Sequence, residues 1–599
     1  MIADDRRILH EVFGFDDYRE GQEPVVRALL AGRNALAVMP TGSGKSLCFQ
    51  VSALALGGLT IVVSPLVALM QDQVAALRLA GVPAETINSA RDRADNVAAW
   101  RRVAAGEIHL LYLSPERLMT ERMLAALTKL SVRLIAIDEA HCISQWGPAF
   151  RPDYEALAQL RHHFPNVPIA ALTATADKAT RRDIAAKLFN NDSETFVAGF
   201  DRPNIKLTVE MRHNGSQQLL AFLQQHIGES GIVYCLSRKK TEKVSRLLTE
   251  NGIPALPYHA GMDKWDRDRN QDIFMTEPGQ LMVATIAFGM GIDKPNVRFV
   301  FHTDLPGSIE AYYQEIGRAG RDGQPAEAHM LYGLDDIRMR RVFIEQEDVG
   351  DDRRRREYQR LDALIGYCEA ATCRRSILLA YFGDTGMRCG NCDTCLDPVE
   401  LIDGTAAGQH VLSAILQTGQ RFGATHITDV LRGSGNEKIL SARHDQLPVF
   451  GVGADRSKGS WRSIIRQLVA AEFLKLDIEG YGGMSLTDKG QTLMDGDTNF
   501  AYREDRSPAK LTRKSRHAEP IPDLDDADGA LLAALKTLRL QLAKERGVPA
   551  YVVFSDRTLN DMAQRRPHDA GSFAKVHGVG AAKLRDFGEI FLRAIADAA

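Results

Sequence analysis

An α/β fold of two parallel-sheet domains followed by smaller, mainly helical modules is what this sequence predicts, and three observations predict it. Up to about residue 335, short apolar runs alternate with helix-length segments, the pattern of parallel strands covered by helices. Met39-Pro-Thr-Gly-Ser-Gly-Lys45-Ser46 follows one such run and opens a helical segment, the setting a phosphate-binding loop requires. Leu134-Ile135-Ala136-Ile137 leads into Asp138-Glu139, which places two carboxylates at the C-terminal edge of a sheet, where open α/β folds bind ligands.

The strand candidates, in order, are Ala35–Met39, Leu59–Ser64, Ile108–Ser114, Val132–Asp138, Ile169–Thr173, Gly231–Cys235, Gln280–Ala284 and Val297–His302. One sheet of that length is unfavourable. Phe200-Asp-Arg-Pro-Asn204 reads as a joint, so the region divides into domains at 1–205 and 206–335. A helical segment with clustered cysteines follows at 336–400. Residues 401–500 alternate short helices with a Gly-rich turn at Gly480–Gly483, which suits a small helix-turn-helix module with a hairpin. Residues 501–522, rich in Arg, Lys, Ser and Pro, read as a flexible linker. Within 523–599, Leu531, Leu532, Leu535, Leu538 and Leu542 recur at helical spacing, predicting a small all-helical domain.

The 599 residues leave room for about four domains. A hydrophobic content of 45% and a charged content of 25% fit a soluble globular protein. No run approaches the length of a membrane span, and the polar first residues lack a signal-peptide apolar core, so a cytoplasmic location is expected. A net charge of -3 excludes a uniformly basic surface, and any nucleic-acid contact must be a local patch. Cys48, Cys142 and Cys235 stand alone and read as buried thiols. Cys368, Cys373, Cys389, Cys392 and Cys395 crowd into 28 residues, which in a large intracellular chain favours metal over disulfides.

Each motif has its own chemistry. In the phosphate loop, Thr41, Gly42, Ser43 and Gly44 bring backbone N–H groups to the phosphates, Lys45 reaches the β/γ-phosphates, and Ser46 suits Mg²⁺. The loop's first position is Met39 rather than Gly. Asp138 suits Mg²⁺ and Glu139 suits orienting an attacking water. Trp146, Phe150 and Arg151 offer flat apolar and cationic surfaces to unpaired bases. His141 can link the nucleotide site to neighbouring motifs. Thr173-Ala-Thr175 suits a hinge, or a plain helix cap with Thr175 or Asp177. In Gln314–Gly323, Arg318 and Arg321 would point from one helix face, and a guanidinium across an interdomain cleft can stabilise charge on a transferring phosphoryl group. Cys389, Cys392 and Cys395 give three close thiolates. Zinc needs a fourth, for which spacing allows Cys373 or Cys368, and an iron–sulfur cluster is the rival.

Taken in order, Tyr18–Gln22, Met39–Ser46, Ser64–Gln73, Asp138–Tyr154, Thr173–Ala176, Ala287–Pro295 and Tyr313–Gly323 resemble the RecQ family of DNA helicases, within helicase superfamily 2. The cysteine cluster and the C-terminal modules extend the resemblance over nearly the whole chain, and the segment after Asp138-Glu139-Ala-His141 is its most distinctive part. The resemblance implies two RecA-like parallel-sheet domains, a helical zinc-binding segment, a winged helix matched at Phe450–Gly453 and Trp461–Leu468, and a small all-helical HRDC domain. It implies ATP, Mg²⁺ and Zn²⁺ as cofactors. It also implies ATP-dependent unwinding of tailed or forked DNA, moving 3′ to 5′, in recombination and repair. By the same resemblance Phe15 would stack on adenine, Arg19 and Gln22 would read its polar edge, and Cys373 would be the fourth zinc ligand. Arg321 would be the arginine finger, assisted by Arg318, with Gln314 in the same catalytic motif.

The chain departs from the family at Pro148-Ala149, where His-Asp is usual, so any role of that histidine is absent. Tyr481 near the tip of the hairpin suits separation of the first base pair, or is an ordinary exposed tyrosine. His577-Gly-Val-Gly580-Ala-Ala-Lys583 resembles a helix-hairpin-helix phosphate contact, or is a Gly-capped turn. A monomer acting on single-stranded and duplex DNA in the bacterial nucleoid is expected, with a single-stranded-DNA-binding protein as candidate partner. A DNA translocase or an RNA helicase is the alternative.

Overall fold

The computed structural model describes residues 4–89, 91–144, 151–289, 294–347, 350–398, 400–476, 483–504 and 526–598. The first sheet has seven parallel strands: β1 (Ala35–Val38), β2 (Leu59–Val63), β3 (Ala84–Ile87), β4 (Leu110–Leu113), β5 (Val132–Ile137), β6 (Ile169–Thr173) and β7 (Glu194–Val197), in the order β3-β4-β2-β5-β6-β1-β7. The second has six: β8 (Ile205–Met211), β9 (Ser230–Tyr234), β10 (Ala255–Tyr258), β11 (Leu281–Ala284), β12 (Val297–His302) and β13 (Ala326–Tyr332), in the order β10-β11-β9-β12-β13-β8. Every pairing in both sheets is parallel.

All eight strands legible from apolar runs are interior strands, buried because helices cover both faces. The five that sequence reasoning did not mark are β3, β7, β8 and β10, which are sheet edges, and β13. β3, β7, β8 and β13 carry polar residues that break the apolar run, and β10 is interrupted by Pro257. Glu85 in β3 is buried yet paired with Arg78, Arg91 and Arg102, and β7 alternates half-buried and exposed positions.

Beyond the sheets, helices Asp351–Glu369 and Arg374–Tyr381 carry the cysteine segment. Helices Thr405–Gln417, Ala424–Leu431 and Lys458–Ala470 and the antiparallel pair Leu474–Leu476 with Met484–Leu486 form the winged module. Buried Trp461 pins its turn, donating from Nε1 to Gly453 O at 2.9 Å. One boundary needs correction. Residues 501–503, read as the start of a linker, form a strand paired antiparallel with Leu401–Asp403. Tyr502 is buried there and Arg503 donates to Tyr332 Oη and Cys368 O, both at 3.1 Å, so this basic stretch is packed rather than solvated.

The C-terminal domain runs from helix Asp526–Arg546 to helix Ala581–Asp597 around its own core of Leu531, Leu535, Phe554, Phe587 and Phe591. Its helix Ala550–Val553 packs on helix Val67–Leu79 of the first domain. Among the described residues, no helix is long and apolar enough to cross a membrane.

Candidate nucleotide site and metal centre

Strands β2, β5, β6 and β1 are adjacent and point the same way, so the loops that follow them share one edge of the sheet. Those loops carry Ser64-Pro65, Asp138-Glu139, Thr173–Thr175 and Met39–Ser46. Gly42 and Gly44 have φ of +83° and +81°, a left-handed turn that lets the chain enter helix Lys45–Leu56 directly. Met39 is fully buried and its N–H donates to Thr173 O at 3.0 Å, so the residue that replaces the usual glycine serves the core. Lys45 Nζ donates to Met39 O at 3.2 Å, and Ser46 Oγ accepts from Gln73 Nε2 at 3.4 Å. Buried Ser43 Oγ has no hydrogen-bond partner among the described residues, a cost that a phosphate oxygen would remove. Thr41 gives its carbonyl to Arg202 Nη1 at 2.8 Å.

Phe15, Arg19, Gln22, Gly44 and Ser46 line one cavity of about 520 Å³, within the range of about 300–1,000 Å³ usual for ligand sites. Arg19 and Gln22, expected at the adenine edge, also buttress the phosphate loop. Arg19 Nη1 donates to Gly42 O at 2.8 Å, and Gln22 Nε2 donates to Ser43 O at 2.9 Å and Gly44 O at 3.1 Å.

Glu139 sits at φ 50°, ψ 43°, a left-handed conformation that costs a non-glycine residue roughly 1–2 kcal/mol. Asp138 Oδ1 accepts the Glu139 N–H at 2.9 Å, and Tyr154 Oη donates to Asp138 O at 3.0 Å, which holds the turn. Strain of this kind concentrates at functional sites. Burial pushes the Asp138 carboxyl up, and the adjacent Glu139 charge adds to the shift; a bound cation would relieve both. Burial also resists charge on Glu139, but His141 and then Lys45 outweigh it and hold this carboxyl below the usual range. Glu139 Oε2 lies 3.3 Å from His141 Nδ1, which is 2.9 Å from Thr173 Oγ1. A buried carboxylate fit to receive a cation thus stands beside a second that stays ionised.

The second domain reaches this edge through helix Ile309–Ile316 and the loop after it. Gln314 Nε2 donates to Thr175 Oγ1 at 2.6 Å and lies 3.5 Å from His141 Nε2, so Gln314, His141 and the Thr173–Thr175 loop form one polar chain across the cleft. Asp177, by contrast, caps its helix, accepting from Thr180 N at 2.7 Å. The expectation that Arg318 and Arg321 share a helix face is corrected. The helix stops at Ile316, and Gly320, at φ +57°, turns the chain back to donate its N–H to Val297 O at 2.9 Å. Arg318 is buried and donates to Gly289 O. Arg321 lies over the phosphate loop: a Cβ on Gly42 would meet Arg321 Cγ at 3.2 Å.

Arg202 is the residue that sequence reasoning missed. From the interdomain joint it donates to Thr41 O at 2.8 Å in the first domain and to Ala319 O and Gly320 O, both at 2.9 Å, in the second. It staples the phosphate loop to the arginine-bearing loop. The available signal was an arginine inside a joint that had been read as connection only.

In the metal centre, the Sγ atoms of Cys373, Cys389, Cys392 and Cys395 all lie within 4.8 Å of one another, and two pairs are at 4.0 Å. Tetrahedral zinc with Zn–S near 2.3 Å needs thiolates about 3.8 Å apart, so one ion fits. An iron–sulfur core, being larger than a single ion, needs its thiolates spread wider. Cys389 N and Asn391 N point N–H groups at Cys373 Sγ and Cys389 Sγ at 3.4 and 3.3 Å, which favours thiolate. Cys368, the other fourth ligand that spacing allowed, is buried on helix Asp351–Glu369 and is not in the cluster. Fully buried Arg374 locks the centre by donating to Asp393 Oδ1 and Tyr367 O, both at 2.6 Å.

Of the expected DNA contacts, Arg151 is described and donates to Pro65 O at 3.3 Å. Trp146, Phe150, the Pro148-Ala149 departure and Tyr481 lie outside the described residues. The 577–580 hairpin meets the first domain: Gly578 N donates to Gly14 O at 2.7 Å.

Comparison with known proteins agrees with this geometry. Family models match in chain order: the DEAD/DEAH box helicase at 19–184, the helicase conserved C-terminal domain at 215–323, the RecQ zinc-binding domain at 334–396, the RQC domain at 398–511 and the HRDC domain at 528–595. The "ATP-dependent DNA helicase RecQ" of Haemophilus influenzae is 43% identical over 591 residues, covering 98% of this chain and 95% of that one. The chain belongs to the RecQ helicase family. The relative of the same name from Bacillus subtilis is 36% identical over 598 residues, covering 99% of both chains, so the family match includes every module described above.

Proposed function

We propose that this RecQ-family chain is an ATP-dependent DNA helicase that moves 3′ to 5′ on one strand and separates duplex DNA in recombination and repair. The observation that carries the reading is the cleft itself, where a phosphate loop on one parallel sheet lies under Arg321 from the other. Lys45 and the loop amides would bind the phosphates, and Phe15 would stack on the base. Glu139 would orient the attacking water and accept its proton. Arg321 would stabilise charge on the transferring phosphoryl group, with Arg318 positioned behind it. Mg²⁺, held by Ser46 and Asp138, would neutralise phosphate charge. Gln314 and Thr175 would report the state of the cleft to the domain joint. Cys373, Cys389, Cys392 and Cys395 would hold a structural zinc that fixes the segment carrying Arg374 and Arg375. Trp146, Phe150 and Arg151 would couple single-stranded DNA to hydrolysis, and Tyr481 would stand at the first base pair. A monomer suffices, because both halves of the cleft come from one chain; a single-stranded-DNA-binding protein is the partner we propose.

The test is ATP-dependent strand separation on matched duplexes with a 3′ or a 5′ single-stranded tail, with Lys45→Ala as control. The reading expects unwinding of the 3′-tailed substrate alone, lost in the control. DNA-stimulated hydrolysis without separation would make the chain a translocase and refute the helicase reading.

A further inference from the structure

The backbone passes from the first sheet to the second between β7 and β8, and hydrogen bonds show which half holds each residue on the way. On the near side, Ala198 N donates to Val38 O at 2.9 Å, which ties the end of β7 to β1. On the far side, each residue from 200 to 205 is bound to the second sheet domain or to the cysteine segment. Phe200 N donates to Asp384 Oδ2 at 3.0 Å and Phe200 O accepts from Tyr313 Oη at 2.9 Å. The Phe200 ring stacks on Phe382, with centroids 4.7 Å apart and planes inclined at 15°. Arg375 donates to Asp201 Oδ1 at 2.7 Å and to the carbonyls of Arg202 and Ile205. Asn391 Nδ2 donates to Pro203 O at 3.0 Å, and Asn204 O accepts from Ala326 N at 2.9 Å. The connection is a rigid extension of the second half, held largely by the segment that carries the four cysteines.

Gly199 is left between the two anchored stretches. It is exposed, and apart from its chain neighbours a Cβ placed on it would meet, among the described residues, only Asp384 Oδ2, at 3.5 Å. The bonds that cross between the halves nearby come from side chains: Arg202 Nη1 to Thr41 O at 2.8 Å, and Arg181 Nη2 to Phe382 O at 3.4 Å. Both can break without moving either backbone.

We propose that Gly199 is the hinge on which the two halves turn, and that the Phe382–Asp384 loop of the cysteine segment is the post that confines the turn to it. The inference rests on the nucleotide site proposed above. A hinge absorbs large changes of φ and ψ, and glycine has the widest range of both. Rotation spread over residues 199–205 would let Arg321 arrive over the phosphate loop in many positions. Rotation at one residue returns it to one position, and a misplacement of about 1 Å costs on the order of 100-fold in rate. Gly199, Phe382 and Asp384 are thus positioning residues that act through Arg321.

Gly199→Val tests the hinge, because a β-branched residue narrows the backbone range without touching the cleft. Dyes carried on unnatural side chains at exposed Val97 of the first domain and exposed Ile227 of the second report the distance between the halves and spare the cysteines. In the full chain on single-stranded DNA, a non-hydrolysable ATP analogue should change the energy transfer. In Gly199→Val that change should shrink by roughly half and DNA-stimulated kcat should fall about tenfold, while ADP affinity and the melting temperature hold. Phe382→Leu withdraws the ring stacked on Phe200. It should broaden the transfer distribution in the absence of nucleotide and lower kcat, with ADP affinity again unchanged. A purely structural role would lower the melting temperature and leave the transfer change intact. A full transfer change with unaltered kcat in Gly199→Val would overturn the inference, as would an unaltered chain that binds the analogue with no change in transfer. If Gly199→Val fails to fold, Gly199→Ala decides by the same readings, since its Cβ makes an ordinary contact. If the unaltered chain binds no analogue, the nucleotide-site reading itself is what fails.

Discussion

The cysteine knot and the nucleotide cleft are both polar sites, yet they are built on opposite plans. The knot takes its four thiolates from residues 373–395, on one segment locked by buried Arg374. The cleft takes its parts from Arg19 to Arg321, on two sheets, and joins them by single hydrogen bonds such as Gln314 to Thr175 and Arg202 to Thr41. A structural site has to stay shut, so a complete ligand shell on neighbouring residues serves it. A site that drives motion has to open every cycle, so its halves sit on separate bodies and its cross-links are weak enough to break.

Removing the metal should give the largest effect and show whether the knot is structural. Structural zinc contributes on the order of 10 kcal/mol to folding. Cys392→Ala should therefore lose stoichiometric zinc by elemental analysis and unfold at a much lower temperature; retention of both would erase the contrast. Next comes Glu139→Gln, which should cut ATP turnover about 10³-fold while nucleotide affinity and the melting temperature hold. Vigorous turnover in that variant would remove Glu139 as the base. Arg202→Gln should come third, because it breaks bonds in both halves of the cleft. A loss of about 2 kcal/mol, or roughly thirtyfold in DNA-stimulated turnover, is expected with nucleotide affinity little changed. If affinity falls instead, Arg202 belongs to the phosphate loop alone. Gln314→Ala, with one neutral bond at stake, should cost about 1 kcal/mol, roughly fivefold in turnover. An undetectable change would mean that the Thr175 link carries nothing.

The two sites also differ in how far the sequence discloses them. The fold class and the interior strands could be read directly, because strands buried on both faces are unbroken apolar runs. Edge strands such as β7 could not, since partial exposure mixes polar residues into them, and β10 is masked by Pro257. The phosphate loop and the Asp138-Glu139 pair are local motifs and were visible as such. Three of the knot's cysteines show in their spacing, which leaves Cys373 and Cys368 both open as the fourth; the resemblance chooses Cys373, and the fold brings its Sγ to the others. The sequence shows Arg318 and Arg321 as residues but not their geometry, because the helix stops at Ile316, before both, and Gly320 turns the chain between them. Arg202 escaped altogether: its acceptors are carbonyls at 41, 319 and 320, and carbonyls leave no mark in a sequence.

The central claim is that hydrolysis needs a guanidinium from the second domain over a phosphate loop in the first. Binding and turnover of ATP by the full-length Arg321→Ala chain, with saturating single-stranded DNA, test it most directly. The account predicts nucleotide affinity close to that of the unaltered chain and turnover lower by about 10³-fold or more. Turnover within about tenfold of the unaltered chain would contradict it, because an arginine finger cannot be worth so little.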